Sequence, residues 1–145
     1  GLLIGEQTAE KVKIKIGSAL EVKDPKEMEV RGRDVGGGMP KSIVIDSNDV
    51  AKAVERPLRS IIKSIQSVLE KTPPELSADI IDRGMVMSGG TAMLRNLDRL
   101  FTKATGVPSH VADDPAFCVA KGTGIALELL ETGDRKFTFN REFRR

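Results

Sequence analysis

The chain has no Trp or Tyr, one Cys and one His. A single thiol, Cys118, excludes an internal disulfide. With His110 as the lone imidazole, no Cys/His cluster is left to hold zinc, which fits a reducing, cytosolic setting. No apolar run approaches the roughly 18 residues of a membrane span, and Leu2-Leu3-Ile4 is too short for the apolar region of a signal peptide. An excess of one charge is also missing. Lys and Arg total 23 against 21 Asp and Glu, a net charge of +2, too near balance to name a partner. Of the five Phe, three (Phe137, Phe139, Phe143) stand in the last nine residues, so the core must be built from Ile, Leu, Val, Met and Ala. At 39% hydrophobic and 30% charged, the composition is that of a globular domain and not of a disordered chain. Its 145 residues suffice for one domain, but the chain opens on Gly1, not Met, which points to a piece of something longer.

What is present divides into periodic segments. Residues 6–20 predict a helix with Thr8 as N-cap and Ala9, Val12, Ile16 and Ala19 on one apolar face, ending near Gly17 or Leu20. Residues 27–33 alternate polar and apolar, and residues 41–46 are rich in β-branched side chains. With Gly36, Gly37, Gly38 and Pro40 between them, these runs predict a β-hairpin. The glycine triplet reads as a turn and not a phosphate cradle, because no helix begins directly after it. Asp46 or Ser47 can cap a helix in which Val50, Val54, Leu58, Ile61, Ile62, Ile65, Val68 and Leu69 recur at helical spacing.

Pro57 interrupts that stripe. An interior proline costs about 3 kcal/mol, so two helices meeting at Arg56-Pro57 are expected, with a subdomain boundary there. The expected organisation is a small α+β subdomain over 1–56, part of a larger α/β subdomain over 57–131, and a basic tail over 132–145. Thr72-Pro73-Pro74 stops the second helix, and Pro74 opens a short one to Ile80 or Ile81. From Gly84 onward the pattern is strand (85–87), glycine turn, helix (Leu94, Leu97, Leu100 and Phe101, ending at Gly106), strand (107–111) and helix. The last helix is opened by Asp114-Pro115 and stopped at Gly133. Strands alternating with helices through short connections predict α/β organisation with a parallel pair.

The turn Ser88-Gly89-Gly90-Thr91-Ala92-Met93 is the best local candidate for chemistry. Helix N-terminal amides lack intrahelical acceptors, and glycines allow close approach to the backbone, so a nucleotide would suit it; a tight α/β turn explains two glycines equally well. No Walker-type run exists, and a Gly-x-Gly-x-x-Gly fingerprint fails at Leu94, although Asp113 and Asp114 lie where a ribose-binding acid would fall. Glu10 and Lys13 share one side of the first helix and are able to address one ligand, or merely to pair with each other. Gly122 and Gly124 suggest close packing of the last helix, His110 reads as an ordinary strand-end residue, and Cys118 as a packed thiol. The tail carries Arg135, Lys136, Arg141, Arg144 and Arg145 against Glu142. It is able to meet RNA, an anionic membrane or a protein, but reads best as a solvated terminus.

Several longer motifs then fall in one order: residues 5–13 (Gly5-Glu6-Gln7-Thr8-Ala9-Glu10-Lys11-Val12-Lys13), Val30-Arg31-Gly32-Arg33-Asp34, Thr72-Pro73-Pro74-Glu75-Leu76, residues 82–90 ending Met87-Ser88-Gly89-Gly90, and Ala112-Asp113-Asp114-Pro115. Together they closely resemble the C-terminal half of the MreB family, bacterial actin-like rod-shape proteins, over residues 1–131. The resemblance implies an actin-like ATPase fold (ribonuclease H-like), with 1–56 as subdomain IIB and the residues after Pro57 in subdomain IIA. It implies ATP or ADP with magnesium held between two domains, Glu10 and Lys13 beside adenine and ribose, and Gly89, Gly90, Thr91 and Ala92 against the adenosine side with Met93 close by. Many relatives have a third glycine where Thr91 stands.

The family's two Asp-x-Gly phosphate loops, its magnesium-positioning residues and its membrane-anchoring segments belong to the part preceding the matched region, so the resemblance transfers no catalytic residue. It further implies head-to-tail self-assembly, slow ATP hydrolysis, RodZ and the cell-wall elongation machinery as partners, and a place in the cytoplasm at the inner face of the membrane, with no nucleic acid. The alternatives are a dinucleotide-binding enzyme domain and a chaperone or sugar kinase of the same superfamily.

Overall fold

A computed structural model describes residues 1–131. The basic tail and the helix stop expected at Gly133 lie outside the described residues. Three antiparallel strands open the fold: β1 (Leu2–Leu3) pairs with β2 (Glu27–Asp34), which pairs with β3 (Pro40–Asp46) in the register Glu27↔Asp46 to Arg33↔Pro40. The alternation read from the sequence buries Val30 and leaves Glu27, Glu29, Arg31 and Arg33 in solvent. At the hairpin tip the Asp34 carboxylate accepts the Gly37 N–H at 2.7 Å and the Lys41 ammonium at 3.0 Å. These bonds, the backbone one first, hold the Asp34 carboxyl below its ordinary range.

Helix α1 (Glu6–Ile16) packs Val12 and Ile16 inward. Its N-cap is Gly5 and not Thr8: the N–H groups of Thr8 and Ala9 both donate to the Gly5 carbonyl at 3.0 Å. Ala9 stays exposed, while Ala19 is buried although it lies beyond the helix end. A Cβ at Gly17 would sit 2.2 Å from the Lys13 carbonyl oxygen and 3.0 Å from Leu94 Cδ1, so only glycine fits where the chain leaves α1.

Helix α2 (Ser47–Glu70) begins with a reciprocal capping box. The Asp46 carboxylate accepts from the N–H groups of Asn48 and Asp49, and Asp49 accepts the Asp46 N–H. The helix then runs unbroken through Pro57, so the expected pair of helices is one. The physical reason is the stripe itself. Val50, Val54, Leu58, Ile62 and Ile65 pack along one face against two cores, and full burial of one such side chain contributes about 1.5–3 kcal/mol. A break at Pro57 would interrupt that face to recover about 3 kcal/mol. Ala53, whose carbonyl loses its donor to the proline, is exposed, so water can satisfy it.

The first core joins Val12, Ile16, Val30 and Val50 with Leu2, Ile4, Met28 and Ile45. The second joins Ala19, Leu58, Leu97 and Phe101 with Ile62, Ile65, Met87, Leu94 and Leu100, and Val54 touches both. Only Phe101 is aromatic, as the composition requires.

Helix α3 (Pro74–Arg83) has Pro74 in its first turn and extends past Ile81. Strand β4 (Met85–Met87) pairs in parallel with β5 (Ser109–Val111), which is shorter than the expected 107–111. Between them stand a four-residue 3-10 turn, Gly90–Met93, and α4 (Leu97–Thr105). A second 3-10 turn, Pro115–Phe117, precedes α5 (Cys118–Glu131). The packing expected of Gly122 and Gly124 is not formed, since a Cβ at either would meet nothing within 4 Å among the described residues. Cys118 is not packed among apolar neighbours either: Phe117 and Val119 are exposed, and its sulfur lies 3.7 Å from the carbonyl oxygens of Asp113 and Asp114.

Candidate functional site: the glycine turn and the end of α1

The turn after β4 is shaped by Gly89, whose φ of 87° lies in the left-handed region that favours glycine. Its N–H donates to the Pro115 carbonyl at 2.7 Å, tying the turn to the loop after β5. The N–H groups of Ala92 and Leu94 donate to the Gly89 and Thr91 carbonyls, each at 3.1 Å, and close the 3-10 turn. Ala92 is buried, whereas Gly89, Gly90, Thr91 and Met93 are exposed. A Cβ at Gly89 or Gly90 would meet nothing within 4 Å, so the backbone presents an open face. The turn does not lead straight into an α-helix as expected. With only four residues it has little macrodipole, so its open face suits an uncharged ring or sugar better than a phosphate.

Glu10 and Lys13 form an ion pair of 2.7 Å on α1, with side chains 55% and 37% exposed. Pairs this exposed contribute about 0.2–0.5 kcal/mol, so stability alone gives little reason for these residues. They border an open groove of about 460 Å³ floored by Ile4, Ala9, Val12, Ile45, Val50 and Val54. The glycine turn does not line that groove. A second groove, about 380 Å³, lies between α2 and residues 19–21, with Leu100 of α4 also lining it, and holds none of the candidate residues.

The segment that follows the glycine turn, residues 94–96, meets the chain one turn beyond Lys13. The Gly17 N–H donates to the Lys13 carbonyl at 3.0 Å, and Ser18 and Arg95 form a parallel bridge in which the Ala19 N–H donates to the Arg95 carbonyl at 2.8 Å. The Arg95 guanidinium donates to the carbonyls of Gly17 (2.9 Å) and Ile16 (2.7 Å) and to Ser47 Oγ (3.0 Å). Asn96, itself left-handed at φ 62°, donates from its amide to Ser18 Oγ at 3.0 Å. Ser18 and Ser47 are fully buried. None of Arg95, Asn96 or Ser18 stood out in the sequence, and Ser47 did so only as a possible helix cap; the one signal was a polar Arg95-Asn96 pair between Leu94 and Leu97 in an apolar stripe. Asp114, weighed as a ribose-binding acid, pairs instead with Lys121, and His110 is exposed on β5.

The model of the MreB/Mbl protein family matches residues 1–135. The chain belongs to the MreB/Mbl family. It is 49% identical over 131 residues to the cell shape-determining protein MreB of Escherichia coli (strain K12), covering 90% of this chain and 38% of that protein. It is 45% identical over 130 residues to the cell shape-determining protein Mbl of Bacillus subtilis (strain 168), covering 90% and 39%. Among solved structures, MreB5 of Spiroplasma citri bound to ADP superposes with a TM-score of 0.86 at 33% identity, over 93% of this chain and 41% of that one. The MamK double helical filament, at 24% identity and a TM-score of 0.69, shares the fold. The fold is thus actin-like, and the chain spans about two fifths of the length of the relatives it matches. Membership of the MreB/Mbl family replaces the dinucleotide-enzyme and the chaperone or sugar-kinase alternatives.

Proposed function

We propose that this chain supplies the adenosine side of an ATP site in an MreB-type protein. Glu10 and Lys13 stand beside adenine and ribose, Gly89, Gly90, Thr91 and Ala92 lie against the adenosine face, and Met93 borders it. The observation that carries this reading is the open backbone face at Gly89 and Gly90, followed within six residues by Arg95 and Asn96, which are bonded to the chain just past Lys13 at the end of α1. The similar MreB5 structures described as bound to ADP and to AMPPNP support it.

The residues present fit an adenosine but not its metal: among the described residues no three His, Cys, Asp or Glu side chains come together to hold an ion. On this reading phosphates and magnesium take their partners from the part of the whole protein outside this chain. On the same reading residues 1–56 act as subdomain IIB and 57–131 as part of IIA, with α2 continuous across the boundary. The whole protein binds ATP between two domains and assembles head to tail into filaments at the inner face of the membrane. There, with RodZ and the cell-wall elongation machinery, it guides wall synthesis and maintains rod shape.

Two measurements test this. Calorimetry should give the 145-residue chain an ATP affinity weaker than micromolar, because the phosphates lack partners; submicromolar binding would contradict the half-site. In the complete polypeptide, Glu10→Ala and Lys13→Ala should weaken ATP binding and ATP-dependent pelleting. Unchanged behaviour in both returns the pair to surface salt bridging.

A further inference from the structure

We propose that Arg95 is a positioning residue that holds the glycine turn against α1 in the geometry adenosine requires. The inference rests on the adenosine reading above and adds a residue that touches no ligand. Three features of the site carry it.

The first is what Arg95 bonds. The last carbonyls of a helix have no intrahelical donor and form the negative end of its dipole. Arg95 supplies two of those donors, to Ile16 and Gly17, and places its positive charge there. Among the described residues every acceptor it meets is a neutral oxygen, two backbone carbonyls and the Ser47 hydroxyl, so the side chain works there as a clamp and not as half of an ion pair. A planar fork with five N–H donors reaches Ile16, Gly17 and Ser47 at once, whereas an ammonium on a flexible stem does not reproduce that directional set.

The second is where Arg95 sits. It lies two residues past Met93, and the Leu94 N–H closes the 3-10 turn on Thr91. The Arg95 carbonyl accepts from Ala19 while Asn96 bonds Ser18. Residues 94–96 are therefore fixed from both backbone and side chain, and a shift of Arg95 is passed directly into residues 91–93. The third is reach. Through Ser47 Oγ, which also accepts the Lys26 N–H at 3.0 Å, the same guanidinium joins the start of α2 to the end of α1. This side chain, together with the Ala19–Arg95 backbone bond and the Asn96–Ser18 bond, thus sets the spacing between the helix that carries Glu10 and Lys13 and the segment that follows Gly89 and Gly90.

The test compares Arg95→Ala and Arg95→Lys with the unaltered 145-residue chain by two NMR readouts. Without ligand, amide exchange at Ala19, Ala92 and Leu94 should quicken at least tenfold in Arg95→Ala while the β2–β3 amides keep their rates. Equal acceleration everywhere would mean general destabilisation and overturn the proposal. Titrated with adenosine, the dissociation constant should rise tenfold or more in Arg95→Ala and by an intermediate factor in Arg95→Lys, which keeps the charge but loses the fork. An unchanged constant in both, with the unaltered chain binding, also overturns it. If Arg95→Ala does not fold, Arg95→Lys decides both arms. If adenosine shifts no amide of the unaltered chain, the adenosine reading fails, and the exchange pattern alone decides whether Arg95 clamps the turn to α1.

Discussion

Replacing Pro57 with Ala isolates the balance that keeps α2 continuous. In the present helix the Ala53 carbonyl has no N–H partner four residues on, and the pyrrolidine ring crowds it. Proline inside a helix is unfavourable by about 3 kcal/mol relative to Ala. Against that gain, alanine frees the unfolded chain, which costs about 0.4–1 kcal/mol. Pro57 is exposed, so no core contact is lost. The net expectation is a stabilisation of about 2 kcal/mol, or about 4–8 °C in the thermal midpoint at 2–4 °C per kcal/mol for a chain of this size. Circular dichroism at the helix band, scanned by heat and by urea, measures it. A midpoint that stays the same or falls would refute the reasoning, because it would mean that the gap in the hydrogen-bond ladder gives α2 the bend both cores need.

Leu58, 4% exposed in the second core, should lose about 2–5 kcal/mol on truncation to Ala, read from the urea midpoint at constant slope; a loss below 1 kcal/mol would show that this core is not closed. Asp46→Ala removes the acceptor for two N–H groups at the start of α2 and should cost about 1 kcal/mol by the same assay. Asp34 has a folded pKa below its unfolded one, so its contribution is present above the ordinary aspartate range and is lost as pH falls through the lowered value. An NMR titration should place the Asp34 midpoint below that of a free aspartate, and Lys41→Ala should move it part of the way back. A midpoint at or above the ordinary value would break the account of the hairpin tip.

Much of the architecture was legible because it rests on local pattern. The hairpin followed from alternation around Gly36, Gly37 and Gly38, the start of α2 from the Asp46 cap, and the parallel pair from two short strands separated by a helix. What misled was a local rule opposed by a non-local gain. Pro57 does break a hydrogen bond, but the stripe on either side of it faces two cores, and no window of sequence shows that they lie along one line. Leu94 fitted the helical stripe yet stands outside α4, because Asn96 takes a left-handed conformation just before that helix. Arg95 was invisible for the plainest reason. Two of its three acceptors are backbone carbonyls 78 and 79 residues earlier, and a bond to a carbonyl leaves no mark on the identity of the residue that offers it, while the third, Ser47 Oγ, lies 48 residues earlier. The glycine turn and the Glu10–Lys13 pair were singled out as candidates by residue type and spacing, and only the family resemblance put adenosine beside them, whereas the bonds of Arg95 and Asn96 to the end of α1 required the fold.

The proposed adenosine site is tested most directly by a residue-resolved NMR titration of the chain with ATP. The account predicts saturable shifts at the amides of Glu10, Lys13 and residues 89–93, weakened together by Lys13→Ala. Shifts confined to the groove that α2 forms with residues 19–21, or none at the glycine turn at millimolar ATP, would contradict it.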